Sequence, residues 1–349
     1  KRLVFNMKTQ QLQNAVEAFD FDINSDEHIP ALGKLLADQQ VVLVRQKLSQ
    51  KRHYDIISSW GQPVKSKVIQ AIVHRHILKG VHWNPIRRTL INCGVFIEPE
   101  HRDRMASVTF QKDKRGRALG IFTNGKLGWH SDMPAFKENM RMLGLASVND
   151  TAGSQTTFLS TAEAYAHLSQ DDFTTVNELN TVFACHKDSL DEYGGDLIPE
   201  QKRFLRYSAC PIDGLMAPLA AQTASGVSGI HFPGPWFDHF EGMSKTESIK
   251  YYNHIWGIIN QPKYIYTHNW QDGEVMYFDS AITMHARPTN VEVNNNRTLW
   301  RCGGYLDKLY PDMGPIHKVT MEHEGDLSWD EYLRRIDAQR KQEYETEKD

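Results

Sequence analysis

The stretch Gly128-Trp-His-Ser-Asp-Met-Pro134 carries two side chains of metal-binding type, two positions apart. On a strand such residues project from one face, so a strand here sets the His130 imidazole beside the Asp132 carboxylate. A third ligand stands far downstream in His285, near the end of the apolar run Phe278-Asp-Ser-Ala-Ile-Thr-Met-His-Ala-Arg-Pro288. Two imidazoles and one carboxylate, with the rest of the coordination sphere open, are the donors of non-haem Fe(II) oxygen chemistry. The His-x-Asp tripeptide alone is a weak signal, because sixteen histidines produce such spacings by chance; a hydrogen-bonded core or surface histidine explains it as well. Its company sharpens it. Arg297 and Arg301 flank Thr-Leu-Trp in a strand-like run, where positions 297, 299 and 301 share a face. Guanidinium groups in an apolar run are costly unless they meet an anion, so the pair predicts a cavity that takes a negatively charged ligand.

Further pieces stand around these in order: Trp129-His130-Ser-Asp132, Gly153-Ser-Gln-Thr156, His268-Asn-Trp270-Gln-Asp-Gly273-Glu-Val, Phe278-Asp279, and the Arg297/Arg301 pair. An early segment, Leu35 to Pro63, adds Val41-Val-Leu-Val-Arg45 and Trp60-Gly61. Over residues 30–306 the chain resembles the taurine dioxygenase-like family of Fe(II)/2-oxoglutarate-dependent oxygenases. The resemblance implies Fe(II) held by His130, Asp132 and His285, with 2-oxoglutarate as co-substrate, dioxygen as oxidant and ascorbate as an additive in vitro. It implies Arg297 as partner of the distal carboxylate of 2-oxoglutarate, with the Thr156 hydroxyl in support. The reaction it implies is oxidation of an unactivated C–H bond by hydroxylation, desaturation or oxidative cyclisation, releasing succinate and CO2.

Substrate contacts are candidates only. Arg301 stands where the family meets an acidic substrate group, but pairing with Asp279 or another carboxylate fits equally. Trp129 reads as cavity wall or as core, and His231 as a hydrogen-bond donor to substrate or as an ordinary histidine. Asn124 lies in a glycine-containing loop, 121–128, beside the metal, and Arg287 is an unassigned cation. The aromatic and proline-dense segment 226–237 departs from the family pattern, which favours a ligand with some apolar bulk over a taurine-like sulfonate.

These residues need strands to carry them. Helix is expected over Pro30–Gln39 and, capped by Ser49, up to Gly61. Strands are expected at Gln40–Arg45, Leu90–Ile97, Ala106–Phe110, Met140–Val148, Gln155–Leu159, Tyr264–His268, Glu274–Phe278, Thr283–Ala286 and Arg297–Leu306. Ser160-Thr-Ala-Glu163 and Ser244-Lys-Thr-Glu247 have the form of capping boxes. Many short strands with a few capped helices point to a sandwich or barrel. The resemblance makes this a mainly β fold, a double-stranded β-helix of jelly-roll type buttressed by helices.

The whole chain, 1–349, is expected to be a single oxygenase domain, with a basic, histidine-rich insertion at 64–90 and a helical extension at 307–349. Met7 reads as closer to the natural start than Lys1. A net charge of −3 and a pI near 6.6 give no general case for nucleic acid or membrane as partner. Four widely separated cysteines and the lack of a long apolar run point to a soluble, cytoplasmic protein. Homo-oligomerisation is left open.

Four readings follow. The first is an oxygenase acting on a small, anionic, amino-acid-like metabolite. The second gives the same chemistry a nucleic-acid or other macromolecular substrate, through residues 64–90. The third is a zinc hydrolase of the same barrel shape, and the fourth a non-catalytic binding protein.

Overall fold

Short runs rich in β-branched and aromatic residues set the architecture. The computed structural model describes residues 7–64, 96–102, 104–114, 119–120, 127–132, 140–183, 216–288, 296–313 and 338, and all that follows concerns these. The chain begins with β1 (Lys8–Leu12), β2 (Ala15–Phe19), α1 (Ile29–Gln39), β3 (Val41–Val44) and α2 (Gln50–Trp60). Then come β4 (Met105–Thr109), β5 (Leu127–His130), β6 (Met142–Asn149), β7 (Gln155–Ser160), α3 (Ala162–Ala166) and α4 (Gln170–Glu178). β8 (Asn180–Phe183), β9 (Met216–Pro218), β10 (Ala220–Gln222), β11 (Ser228–Ile230), β12 (Phe237–Phe240) and α5 (Lys245–Ile259) follow. The last strands are β13 (Ile265–Asn269), β14 (Val275–Asp279), β15 (Thr283–Arg287) and β16 (Thr298–Gly304).

A seven-stranded sheet runs β1-β2-β3-β14-β6-β16-β4, and a four-stranded sheet runs β13-β7-β15-β5. Among the described strands only β2 and β3 pair in parallel. The larger sheet is covered on both faces, which is why β3 and β14 are buried along their whole length. On one face, Val42, Val44 and Tyr277 pack under Leu32, Leu36, Ile56, Ile57 and Trp60 from α1 and α2. On the other, Val41, Leu43, Met276, Phe278 and Leu299 meet Phe158 of β7 and Trp270, just beyond β13. The far side of the smaller sheet, with Leu159 and Met284, is covered by Ile255 and Ile259 of α5 and by Phe232. The two sheets therefore face each other across one apolar layer, with helices outside.

The helix boundaries follow their caps. The Ser49 hydroxyl accepts from the Arg52 amide, 3.1 Å, and Ser244 with Glu247 forms a complete capping box at α5. Ser160-Thr-Ala-Glu163 does not. Thr161 occupies the cap position of α3 without capping it, because its hydroxyl is bound instead to the Ile230 and Ile282 backbone. The strand expected at Leu90–Ile97 falls outside the described residues apart from Phe96 and Ile97, which form a turn and a bend. The C-terminal helical extension and residues 65–90 also lie outside them, as do Cys93, Cys185 and Cys210.

Gly144 in β6 shows how tightly the helical face is packed. A Cβ there would stand 2.6 Å from His53 Cε1 and 2.9 Å from the Tyr277 ring, closer than side-chain atoms tolerate. Gly144→Ala is expected to cost about 1–3 kcal/mol through this overlap, read as a lowered Tm; an unchanged Tm would show that α2 yields freely. Burial pushes the His53 imidazole down to about 4, below its unfolded value near 6.5. The neutral form is thus favoured in the fold, so its stabilising effect is complete above about pH 6.5 and fades as pH falls toward about 4. His53→Leu is expected to reduce the loss of Tm on acidification through that window, compared with wild type; parallel curves would remove His53 as the cause.

Candidate metal centre

Register places the two histidines. β15 pairs antiparallel with β5 so that His285 stands directly opposite His130, and their ring centroids are 4.1 Å apart. The sequence expectation of one strand through Asp132 is corrected here, since β5 ends at His130 and Asp132 lies in a bend. Ser131, between the ligands, donates its hydroxyl to the Thr283 carbonyl at 3.2 Å and so fastens the bend to β15. Asp132 then reaches both rings: Oδ1 is 3.8 Å from His130 Nε2 and Oδ2 is 3.9 Å from His285 Nε2. The ligand atoms of the three residues all lie within 4.8 Å of one another. Two donors bonded to one ion at about 2.1 Å are at most about 4.2 Å apart, so the 3.8 and 3.9 Å spacings of Asp132 to the two rings suit a single metal. A second group, Glu98, Glu100 and His101, satisfies the same distance but its carboxylates are exposed.

The protonation states also suit a metal. Burial pushes His285 down, to about 3, with neighbouring His130 adding to the shift. Burial likewise lowers His130. His130 Nδ1–H donates to the Gly128 carbonyl at 2.7 Å, which leaves Nε2 as the lone-pair nitrogen and fixes the ring. Burial works to raise Asp132, yet Arg301, His285 and His130 together hold it well below the usual carboxylate range. Neutral imidazoles and an ionised carboxylate are the forms that ligate.

Arg301 approaches from β16 of the opposite sheet, with Nη2 3.1 Å and Nε 3.3 Å from Asp132 Oδ2. Its carboxylate partner is thus Asp132 and not Asp279, whose Oδ1 accepts from the Ala281 and Ile282 amides. Phe278 and Phe158 wall the site, with ring centroids 4.9 Å and 6.5 Å from that of His285. Phe278 belongs to the Phe278-Asp279 piece noted in the sequence, whereas nothing in the local sequence marks Phe158 out from core.

Arg297 is 2% exposed. Its guanidinium lies over the Phe110 ring at 4.9 Å, with Arg287 over the same ring at 5.0 Å. Among the described residues Arg297 Nε and Nη1 have no hydrogen-bond partner, and burial, reinforced by Arg287, pushes its pKa down to about 9. A desolvated guanidinium is matched in charge and geometry by a carboxylate or phosphate. Thr156 faces inward from β7, one residue pair along from Phe158. Phe110, which seats both arginines, was not foreseen, because residue 110 is remote from every motif.

Trp129 is not brought to the metal. As the strand neighbour of His130 it points to the opposite face, packing in the outer layer at 6.5 Å from the Trp256 ring. His231 cannot serve as a donor to substrate while neutral. Its Nδ1–H is given to the Ala281 carbonyl at 2.7 Å, and burial pushes the ring down to about 4, so Nε2 is an acceptor near neutral pH. Asn124 lies outside the described residues. A cavity of about 750 Å³, lined by Arg141, Gln222, Tyr310 and neighbours, opens elsewhere and includes none of the three ligands. Among the described residues no helix is long and apolar enough to cross a membrane.

Comparison with known proteins completes the picture. The model of the taurine catabolism dioxygenase TauD, TfdA family matches residues 8–302. The chain is 21% identical over 226 residues to pentalenolactone F synthase of Streptomyces arenae, covering 60% of this chain and 70% of that one. A taurine dioxygenase from Burkholderia xenovorans superposes with a TM-score of 0.59 at 18% identity, over 85% of this chain and 89% of the other. AAD-2, in complex with Mn(II) and N-oxalylglycine, gives a TM-score of 0.59 at 14% identity, over 85% of this chain and 96% of that one. The superpositions share the mainly β architecture with few helices. With a match that spans both facing sheets and all three ligand positions, the chain belongs to the TauD/TfdA family of Fe(II)- and 2-oxoglutarate-dependent dioxygenases.

Proposed function

We propose that the enzyme oxidises an unactivated C–H bond of a small, anionic, amino-acid-like metabolite. In this reading His130, Asp132 and His285 hold Fe(II), and Arg297 with Thr156 holds the distal carboxylate of 2-oxoglutarate. The observation that carries it is the convergence of three ligand atoms within 4.8 Å, inside the apolar layer between two sheets. Bound iron supplies oxygen activation coupled to decarboxylation of 2-oxoglutarate, with succinate and CO2 as by-products. The chain supplies the rest. Phe158 and Phe278 exclude water from the ligands, Arg301 keeps Asp132 ionised, and buried Arg297 orients the co-substrate through a planar fork.

An anionic substrate is supported by Arg301. Asp132 occupies its Nε and Nη2 edge and Met140 Sδ also meets Nη2, which keeps a cation next to the three ligand side chains. Hydroxylation, desaturation and ring closure all fit this arrangement. The two facing sheets are read as the halves of a double-stranded β-helix, and residues 1–349 as one oxygenase domain working in the cytoplasm, where ferrous ion and 2-oxoglutarate are at hand. Membership of an oxygenase family sets aside the zinc-hydrolase and non-catalytic readings. The macromolecular reading rests on residues 64–90, of which only Val64 is described, and no observation favours it.

His130→Ala and His285→Ala are each expected to abolish 2-oxoglutarate turnover and to weaken Mn(II) binding by at least about 100-fold; retained turnover in either would remove that residue from the centre. Arg297→Ala, which deletes a buried charge partner worth about 2–5 kcal/mol, is expected to weaken 2-oxoglutarate binding by at least about 30-fold while Mn(II) still binds. Unaltered affinity would end the assignment. For the substrate, a panel of amino-acid-like acids with Fe(II), ascorbate and 2-oxoglutarate is expected to yield one that raises succinate release above the uncoupled background. Product mass then separates gain of one oxygen from loss of two hydrogens.

A further inference from the structure

The indole of Trp270 lies directly behind the Thr156 hydroxyl, Nε1 to Oγ1 at 2.9 Å. Both residues are buried, at 1% and 6% exposure. An indole N–H only donates, so Thr156 Oγ1 is the acceptor in this bond. A hydroxyl has one proton, and among the described residues Thr156 donates it to no acceptor. With Trp270 occupying the oxygen from one side, that proton is left for whatever enters the cavity.

The indole is itself held in place. The Trp270 amide donates to the Ser154 carbonyl at 2.9 Å, and its ring stands edge-on to His268 at 4.8 Å. His268 donates to Glu274 Oε2 at 2.9 Å, and the same oxygen accepts the Gln271 amide at 2.8 Å. Glu274 is in turn paired with Arg45. This chain of contacts leaves the indole little freedom to rotate away from Thr156.

We infer that Trp270 is a positioning residue that turns the Thr156 hydroxyl proton toward the co-substrate, so that the subsite favours a group able only to accept over one that must also donate. The inference rests on the reading of Thr156 and Arg297 as the partners of the distal carboxylate. Arg297 has no acceptor; with one lone pair of Thr156 Oγ1 taken by the indole, this pair of residues offers a single remaining lone pair against several donors. A carboxylate is satisfied there. An amide of the same skeleton, 2-oxoglutaramate, brings two N–H donors that compete for that one lone pair, and a buried unpaired donor is heavily penalised. Without the indole, the hydroxyl can turn and accept, and the discrimination weakens.

The test is equilibrium binding of 2-oxoglutarate and of 2-oxoglutaramate to the Mn(II)-loaded full chain, with thermal unfolding as a check that each variant is folded. Loss of one hydrogen-bond constraint corresponds to about a five-fold change. Trp270→Phe is expected to weaken 2-oxoglutarate about five-fold and to lower its advantage over 2-oxoglutaramate. The same effect is expected in a Thr156→Ser background, which keeps a hydroxyl, but less than two-fold in a Thr156→Val background, which lacks one. An equal effect of Trp270→Phe with serine and with valine at position 156 would overturn the inference, as would unchanged discrimination. Were Thr156→Val itself to leave 2-oxoglutarate affinity unaltered, the underlying reading of Thr156 would fall first.

Discussion

A carboxylate enclosed by two aromatic-walled sheets is the constraint on which the rest of the structure turns. Burial by itself works against the ionised form of Asp132, the form that ligates strongly. Arg301 opposes this, and it can do so only because β16 belongs to the larger sheet while Asp132 follows β5 of the smaller one. The contact therefore requires the sheets to face one another at a fixed separation. That separation is maintained by Phe158, Phe278, Leu299 and their neighbours between the sheets, and by the helices outside them.

Arg301 of β16 and Arg297, the residue just before that strand, illustrate how one extended run can supply unlike environments. Arg301 sits against a full negative charge. Arg297, at the strand entrance, is buried beside Phe110 with another arginine nearby and, among the described residues, no hydrogen-bond partner at Nε or Nη1. The first is a resident ion pair and the second is poised for a ligand. Both are explained by alternation along an extended chain, which turns residues 297, 299 and 301 to one side.

Much of this was legible before any coordinates. The ligand triad could be read because its residue types are rare in combination and because alternation on β15 is simple. The capping serines at positions 49 and 244 were legible because their partners are local. What local sequence could not reveal was where β5 stops, since the stop depends on Ser131 reaching Thr283 across the sheet. The same limit explains Thr161, drawn from its cap by the distant Ile230 and Ile282. Trp129, read as cavity wall or as core, falls to the core for a different reason. Adjacency to a ligand in sequence means the opposite face on a strand, so the indole belongs to the outer layer.

Among the described strands, β5 is the outermost of the smaller sheet and meets only β15 there. An ion gripped by His130 on one and His285 on the other is therefore a clasp on a frayable margin. Such margins open locally at small free-energy cost, and whatever binds only the closed form holds them shut by mass action. Amide exchange along Leu127–His130 thus becomes a gauge of occupancy, whereas the α2 backbone, packed on the far side of the larger sheet, exchanges at a pace set by global unfolding.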